Sequence, residues 1–175
     1  MKRIAWTLLA LLLFLVYYLS SIPGLKVLPV LRQINGALQA VGISLTALAG
    51  AVAARLPEQF SPLKAAAAHF YRFAQENPEA MEFIVRKAGH LTLYFIITIA
   101  FYFLIRQYLQ SPWAALVVAA LPPAAMAVAD EFLQTFVSGR DGSLVDVFID
   151  WCGIGAALFF ILCALVITGR YRTTT

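Results

Sequence analysis

Charge is what this sequence has least of. Only 13% of its 175 residues are Asp, Glu, Lys or Arg, against 62% that are hydrophobic. A water-soluble domain of that length needs far more polar surface, so that class is excluded and an all-α integral membrane protein is expected. Cysteine is nearly absent too. Cys152 and Cys163 lie eleven residues apart in one apolar run. On a helix that spacing is about 16 Å of rise, beyond disulfide reach. It is no metal-type spacing either, and both read as small hydrophobes in a core. Internal repeats and low-complexity tails are also missing. The formal charge of +4 comes from Lys and Arg flanking apolar runs, a mark of membrane topology. The lipid bilayer is therefore the expected partner, and nucleic acid is not. The length suits one polytopic domain.

Four apolar runs are long enough to span. The first, about residues 4–21, follows Lys2 and Arg3 and ends at Ser20-Ser21-Ile22-Pro23-Gly24. Its exit lacks a small-x-small cleavage site, so an uncleaved helix with its N-terminus inside is expected. The second spans about 86–109. Its helix starts earlier, at Asn77-Pro78, with Glu79 and Glu82 in the first turns. Ser111-Pro112 caps the third, 113–137, and Pro122-Pro123 should kink it. Ser143 with Asp146 three residues on has the form of a capping box for the fourth, 144–168, with Gly169 as its C-cap.

The segment 25–77 is different in kind. Leu38, Val41, Leu45, Leu48, Val52 and Leu56 recur every three or four residues, the pattern of an amphipathic helix on the membrane or the bundle. A spanning helix over 36–56 is the alternative. Ser61-Pro62 should open a short helix through Phe73 that carries His69 as a surface or packing residue.

Short connections make the second, third and fourth spanning helices alternate in direction. The start of the second, the end of the third and the start of the fourth then share one membrane face. Those are the ends where ionisable residues gather. Lys87, His90, Tyr94 and Thr98 share a helical face, with Arg86 one turn before His90. Asp130 and Gln134 stand a turn apart beside Glu131. Asp146, Asp150, Gly153 and Ala157 form a stripe whose small residues allow close approach. The opposite ends carry Arg106, Arg170 and Arg172. Charge within a membrane costs at least about 2.5–3.5 kcal/mol per residue, which makes such a cluster a functional candidate.

The stretches SSIP, VRKAGHLTLY (Val85 to Tyr94) and DEFLQTFVSGRDGSLVDVFIDWCGIG (Asp130 to Gly155) resemble the VanZ-like membrane proteins. Glu131, Gln134, Gly139, Arg140, Ser143, Asp146, Asp150 and Gly153 occupy the family's motif positions, and Ser138 stands where many members have proline. The resemblance implies a four-helix membrane domain in the bacterial cytoplasmic membrane, with the polar cluster outside and both termini cytoplasmic. It implies that 25–77 is an extracytoplasmic helical insertion that crosses the membrane an even number of times. Lys26, Arg32, Arg55, Lys64 and Arg72 in that insertion run against the positive-inside rule. The founding member of the family is associated with resistance to the lipoglycopeptide teicoplanin, an association that assigns no reaction.

The expected function is recognition of an anionic amphiphile, such as a lipid-linked cell-wall precursor, in a polar pocket at the outer interface. Arg86, Lys87 and Arg140 are the candidates for the anion. Glu131 with Asp130 is the candidate base, and His90 the proton donor or acceptor. Gln134, Ser143 and Tyr94 offer neutral hydrogen bonds, and Asp146 and Asp150 complete the set. No cofactor and no metal is expected, since the spacing of the acids matches no particular ion. An enzyme hydrolysing or transferring on a phosphate-bearing lipid, one version of which puts a divalent metal on the acids, a small proton-coupled transporter and a structural scaffold stay open as alternatives.

Overall fold

A computed structural model of the chain describes residues 2–23, 26–140 and 142–169. The chain is all-α: α1 Lys2–Ser21, α2 Val27–Ala40, α3 Leu45–Arg55, a 3-10 turn Glu58–Phe60, α4 Ser61–Glu76, α5 Pro78–Ile105, α6 Pro112–Gln134 and α7 Leu144–Ile167. Among the described residues, α1, α5, α6 and α7 are long and apolar enough to cross a membrane. This is a multi-pass membrane protein. Two compact units divide the chain, residues 26–86 forming one and the flanking segments the other. The division falls inside α5 at Arg86–Lys87, where the hydropathy of the sequence starts its second membrane segment.

In the unit that holds the spanning helices, α6 and α7 each bury a face made mostly of small or polar residues. The buried face of α6 runs through Pro112, Ala115, Ala119, Pro123 and Ala127 and ends in Asp130, Glu131 and Gln134. That of α7 begins with Asp146, Val147 and Asp150 and continues through Gly153, Ile154 and Ala157. Val117, Leu121, Phe148, Phe159 and Phe160 point outward, as lipid-facing side chains must. Lipid gives no hydrophobic drive to helix association, so contact of small faces has to hold the helices together. Tyr94, Ala127, Val147 and Ile154 form one packed layer, and Tyr102, Ala115, Ala119 and Leu165 form a second toward the other end. At α1, Trp6 Nε1 donates to the Tyr108 hydroxyl at 3.0 Å, and the Lys2 ammonium sits over the Tyr108 ring. The start of α1 thus lies beside the end of α5.

Several helix ends follow the sequence. The Ser111 hydroxyl accepts from Ala114 N–H at 3.3 Å with Pro112 just inside α6. Gly169 closes α7 in the left-handed region at φ +66°. α6 continues through Pro122 and Pro123. Other ends depart from it. α5 stops at Ile105, short of Leu109, and in the turn that follows the Arg106 guanidinium donates to the carbonyls of Leu109 and Gln110. Ser61 is the first residue of α4 and not its cap, since the preceding 3-10 turn feeds directly into the helix. Cys152 is exposed on α7, so it is not a core residue; Cys163 is half-buried. Gly24, Asp141, Arg170 and Arg172 lie outside the described residues.

In the 26–86 unit, the continuous helix expected from Asn35 to Leu56 is two helices. Val41, Gly42 and Ile43 turn their N–H groups back on Leu38 and Gln39, Gly42 takes φ +81°, and Ser44 then caps α3 by accepting from Ala47 N–H. This is a left-handed helix stop followed at once by a start. At about 21 Å and 17 Å, α2 and α3 are each too short to cross a bilayer as helices. Glu82, expected to serve its own helix, instead accepts from the N–H groups of Val27 and Leu28, the latter at 2.9 Å. Lys26 offers α2 no side-chain cap, and a carboxylate on that positive end replaces one. Asn77 donates its side-chain amide to Phe73, closing α4, while its carbonyl accepts from Met81 in α5. His69 is exposed.

Candidate functional site

α5 and α7 run parallel, and α6 runs against both. The order of contacts shows it: Lys87 meets Asp146, His90 meets Asp150, and Leu91 meets Gly153. Between α6 and α7, Trp151 donates to the Ala124 carbonyl while Glu131 reaches back to Ser143. The polar ends of α5, α6 and α7 therefore converge at one end of the bundle, as alternating direction requires.

Two glycines set how close the helices come. A Cβ on Gly153 would run into the backbone carbonyl of Leu91, so only glycine lets α7 lie this near α5. A Cβ on Gly142 would strike the backbone of Glu131 and the Thr135 methyl, so the turn between α6 and α7 folds flat against α6. That second approach positions Glu131, whose Oε2 accepts the Ser143 N–H at 2.8 Å. The carboxylate that caps α7 thus comes from α6. Ser143 is the N-cap by backbone conformation, but its hydroxyl makes no capping bond.

The capping box expected from Ser143 and Asp146 is consequently not formed. Asp146 instead accepts from the Lys87 ammonium. Both side chains are largely shielded, at 14% and 10% exposure. In that setting an opposite full charge outcompetes an amide donor for the carboxylate. One turn further along, His90 Nδ1 lies 3.2 Å from Asp150 Oδ1. The Gln134 amide donates to Asp130 Oδ2 at 2.9 Å and to Glu131 Oε1 at 3.2 Å, tying two neighbouring carboxylates together. Thr98 donates to the Tyr94 carbonyl and is a helix-internal residue, not part of the charge network.

The burial is severe. Asp130, Glu131, Gln134, Asp146 and Asp150 are all buried, Asp150 completely. Two of the polar atoms there have no hydrogen-bond partner among the described residues: the Tyr94 hydroxyl and Asp150 Oδ2. The Tyr94 hydroxyl stands within electrostatic reach of Asp130, Asp150 and Glu131. His90 has Asp150, Asp146 and Glu131 in the same range. One ring nitrogen of His90 and one carboxylate oxygen from each of Asp130 and Glu131 lie within 4.8 Å of one another.

Of the sequence candidates, Lys87, His90, Tyr94, Asp130, Glu131, Gln134, Asp146 and Asp150 are thus brought together, with Ser143 joined through its backbone. Arg140 is half-buried in the connecting turn, and its N–H bonds the Val137 carbonyl. Arg86 is exposed and belongs to the 26–86 unit. The residue that sequence reading missed as a positioner is Gly142, and its place just before a helix cap was the available signal. Compared with protein-family models, with curated proteins and with solved structures, the chain matches none.

Proposed function

We propose that this membrane protein uses the polar end of its bundle to hold the phosphate-bearing head group of an amphiphile, such as a lipid-linked cell-wall precursor. The supporting observation is the incomplete polar layer. The Tyr94 hydroxyl and Asp150 Oδ2 are buried without a hydrogen-bond partner among the described residues, and an unsatisfied buried polar group costs about 1–3 kcal/mol. A bound phosphate offers an acceptor to the Tyr94 hydroxyl, and an ordered water brought with it can donate to Asp150 Oδ2. An amphiphile suits the setting because its tail stays in the lipid around α5, α6 and α7. Lys87 brings an ammonium to the cluster beside Asp146, and Arg140 in the adjoining turn carries a guanidinium, the group whose fork geometry suits phosphate. Arg86, the exposed neighbour of Lys87 on α5, stays a candidate for the same anion.

The resemblance to VanZ-like proteins agrees with a role in the bacterial cytoplasmic membrane, with this end outside and both termini cytoplasmic. The association with teicoplanin resistance belongs to the founding member of the family resembled. The orientation is tested with Ser138→Cys in a Cys152→Ser, Cys163→Ser background. A membrane-impermeant maleimide should label it in intact cells, and labelling only after lysis would reverse the topology.

Binding is tested in phosphatidylcholine nanodiscs with a polyprenyl monophosphate against the matching polyprenol. The phosphate should be required. Arg140→Ala and Lys87→Ala should each weaken binding about tenfold or more, the worth of one charge-assisted hydrogen bond. Equal binding of the uncharged alcohol rules the reading out.

One observation favours an enzyme as a second reading. Asp150 holds the His90 ring through Nδ1, the orientation that equips a histidine to move protons through its other nitrogen. Release of inorganic phosphate from the same lipid, lost in His90→Gln and Glu131→Gln proteins that still bind it, supports that reading; binding with no turnover favours a receptor.

A further inference from the structure

The candidate site is acidic, and that asks for a cation. Asp130, Glu131, Asp146 and Asp150 are four buried carboxylates. Lys87 answers one of them. Even with His90 and Arg140 of the adjoining turn counted, acids outnumber bases by one among the described residues. Buried charges without compensation are among the most expensive features a fold can carry, and more so at the edge of a bilayer.

We propose that His90, Asp130 and Glu131 bind one divalent first-row transition ion, with Mn2+ and Zn2+ as the matching chemistry. Three observations converge on it. The three side chains each place a ligand-capable atom within 4.8 Å of the others. Around an ion with bonds of about 2.1 Å, neighbouring ligand atoms stand about 3–4 Å apart, so closure needs shifts of only about 1 Å. Second, the supporting groups are those of a metal site. Asp150 Oδ1 engages His90 Nδ1, which orients the ring and leaves Nε2 for the ion, and Gln134 fixes both carboxylates with one amide. Carboxylate–histidine–metal relays use this construction. Third, Tyr94 is only 1% exposed, and its hydroxyl, without a hydrogen-bond partner among the described residues, stands within electrostatic reach of Asp130, Glu131 and Asp150. A water on the ion supplies the acceptor it lacks.

Two carboxylates and one imidazole form a hard-to-borderline donor set, which selects Mn2+, Fe2+ or Zn2+ over Cu+. Three protein ligands also leave coordination positions open for water or a phosphate oxygen. Nothing in the linear spacing announces the site, because His90 comes from α5 and the carboxylates from α6.

The inference does not rest on amphiphile binding, and its test contains no phosphate lipid. Full-length protein, purified in detergent and stripped with EDTA, is titrated with Mn2+ under electron paramagnetic resonance and with Zn2+ by calorimetry. One ion per chain is expected, with a nitrogen coupling from the single imidazole in the Mn2+ spectrum. His90→Gln and Asp130→Asn should abolish stoichiometric binding. Asp150→Asn touches His90 and not the ion, so it should keep the stoichiometry and weaken affinity about 10–100-fold. Absence of bound ion, or one ion held equally well by His90→Gln and Asp130→Asn, overturns the proposal. Should those variants fail to fold, the nitrogen coupling in the unaltered protein decides: its absence overturns the proposal as well.

Discussion

Gly153→Ala lowers the thermal midpoint of the purified protein by several degrees, whereas Gly155→Ala, two residues along the same helix, leaves it unchanged or slightly raised. The contrast follows from what each added methyl meets. At Gly153 it meets the carbonyl of Leu91, part of the α5 backbone, which cannot swing aside as a side chain can. The helices must separate, and overpacking of this kind costs about 1–3 kcal/mol. At Gly155 the methyl meets nothing within 4 Å, and alanine is the better helix former by about 1 kcal/mol. The separation also acts one turn away, where it pulls Asp150 from His90. Gly153→Ala should therefore weaken any ligand of the polar end along with stability. Equal midpoints for the two variants would show that α5 and α7 do not approach as described.

The second large effect concerns the Lys87–Asp146 pair. Lys87→Met leaves Asp146 as an uncompensated carboxylate at 10% exposure, and breaking one side of a buried pair costs about 3–5 kcal/mol. Asp146→Leu strands the ammonium instead, with less penalty, because a lysine can extend its charge toward the interface. The double variant Lys87→Met, Asp146→Leu should recover most of the loss, since replacing both charges by apolar groups of similar size is often neutral. Chemical denaturation of the four proteins in detergent measures the coupling. A coupling below about 1 kcal/mol places the pair among exposed ion pairs. The double variant also separates roles: restored stability with lost binding of a phosphate lipid assigns the pair to recognition, and retained binding assigns it to the fold.

What could be read from the chain and what could not divides along physical lines. Apolar run length locates the four long helices, because a bilayer demands about 20 apolar residues per span whatever the neighbours do. Ser111 and Gly169 announce their helix ends because capping is a local contact. The break after α2 was legible in principle, as Gly42 followed by Ser44 is a stop and a start, yet the apolar periodicity across it masks the interruption. Glu82 and Asp146 could not be assigned this way. Each sits where its own helix offers a modest electrostatic gain, and each is taken by a stronger partner from elsewhere: the bare start of α2 in one case, Lys87 in the other.

The sequence by itself determined that this is a multi-pass helical membrane protein whose ionisable residues gather at one end of three consecutive helices. Hydrophobic length and alternation of direction are enough for that. Only the tertiary structure decided the pairings within the cluster. It assigned the capping of α7 to Glu131, gave Asp146 to Lys87 and Asp150 to His90, and left the Tyr94 hydroxyl enclosed without a partner among the described residues. These outcomes depend on how nearly α5 and α7 touch, which rests on the missing side chain of Gly153, and on how flat the Gly142 turn lies. Charge interactions steepen over a few ångströms in a low-dielectric interior, and helical spacing along a chain carries no information at that scale.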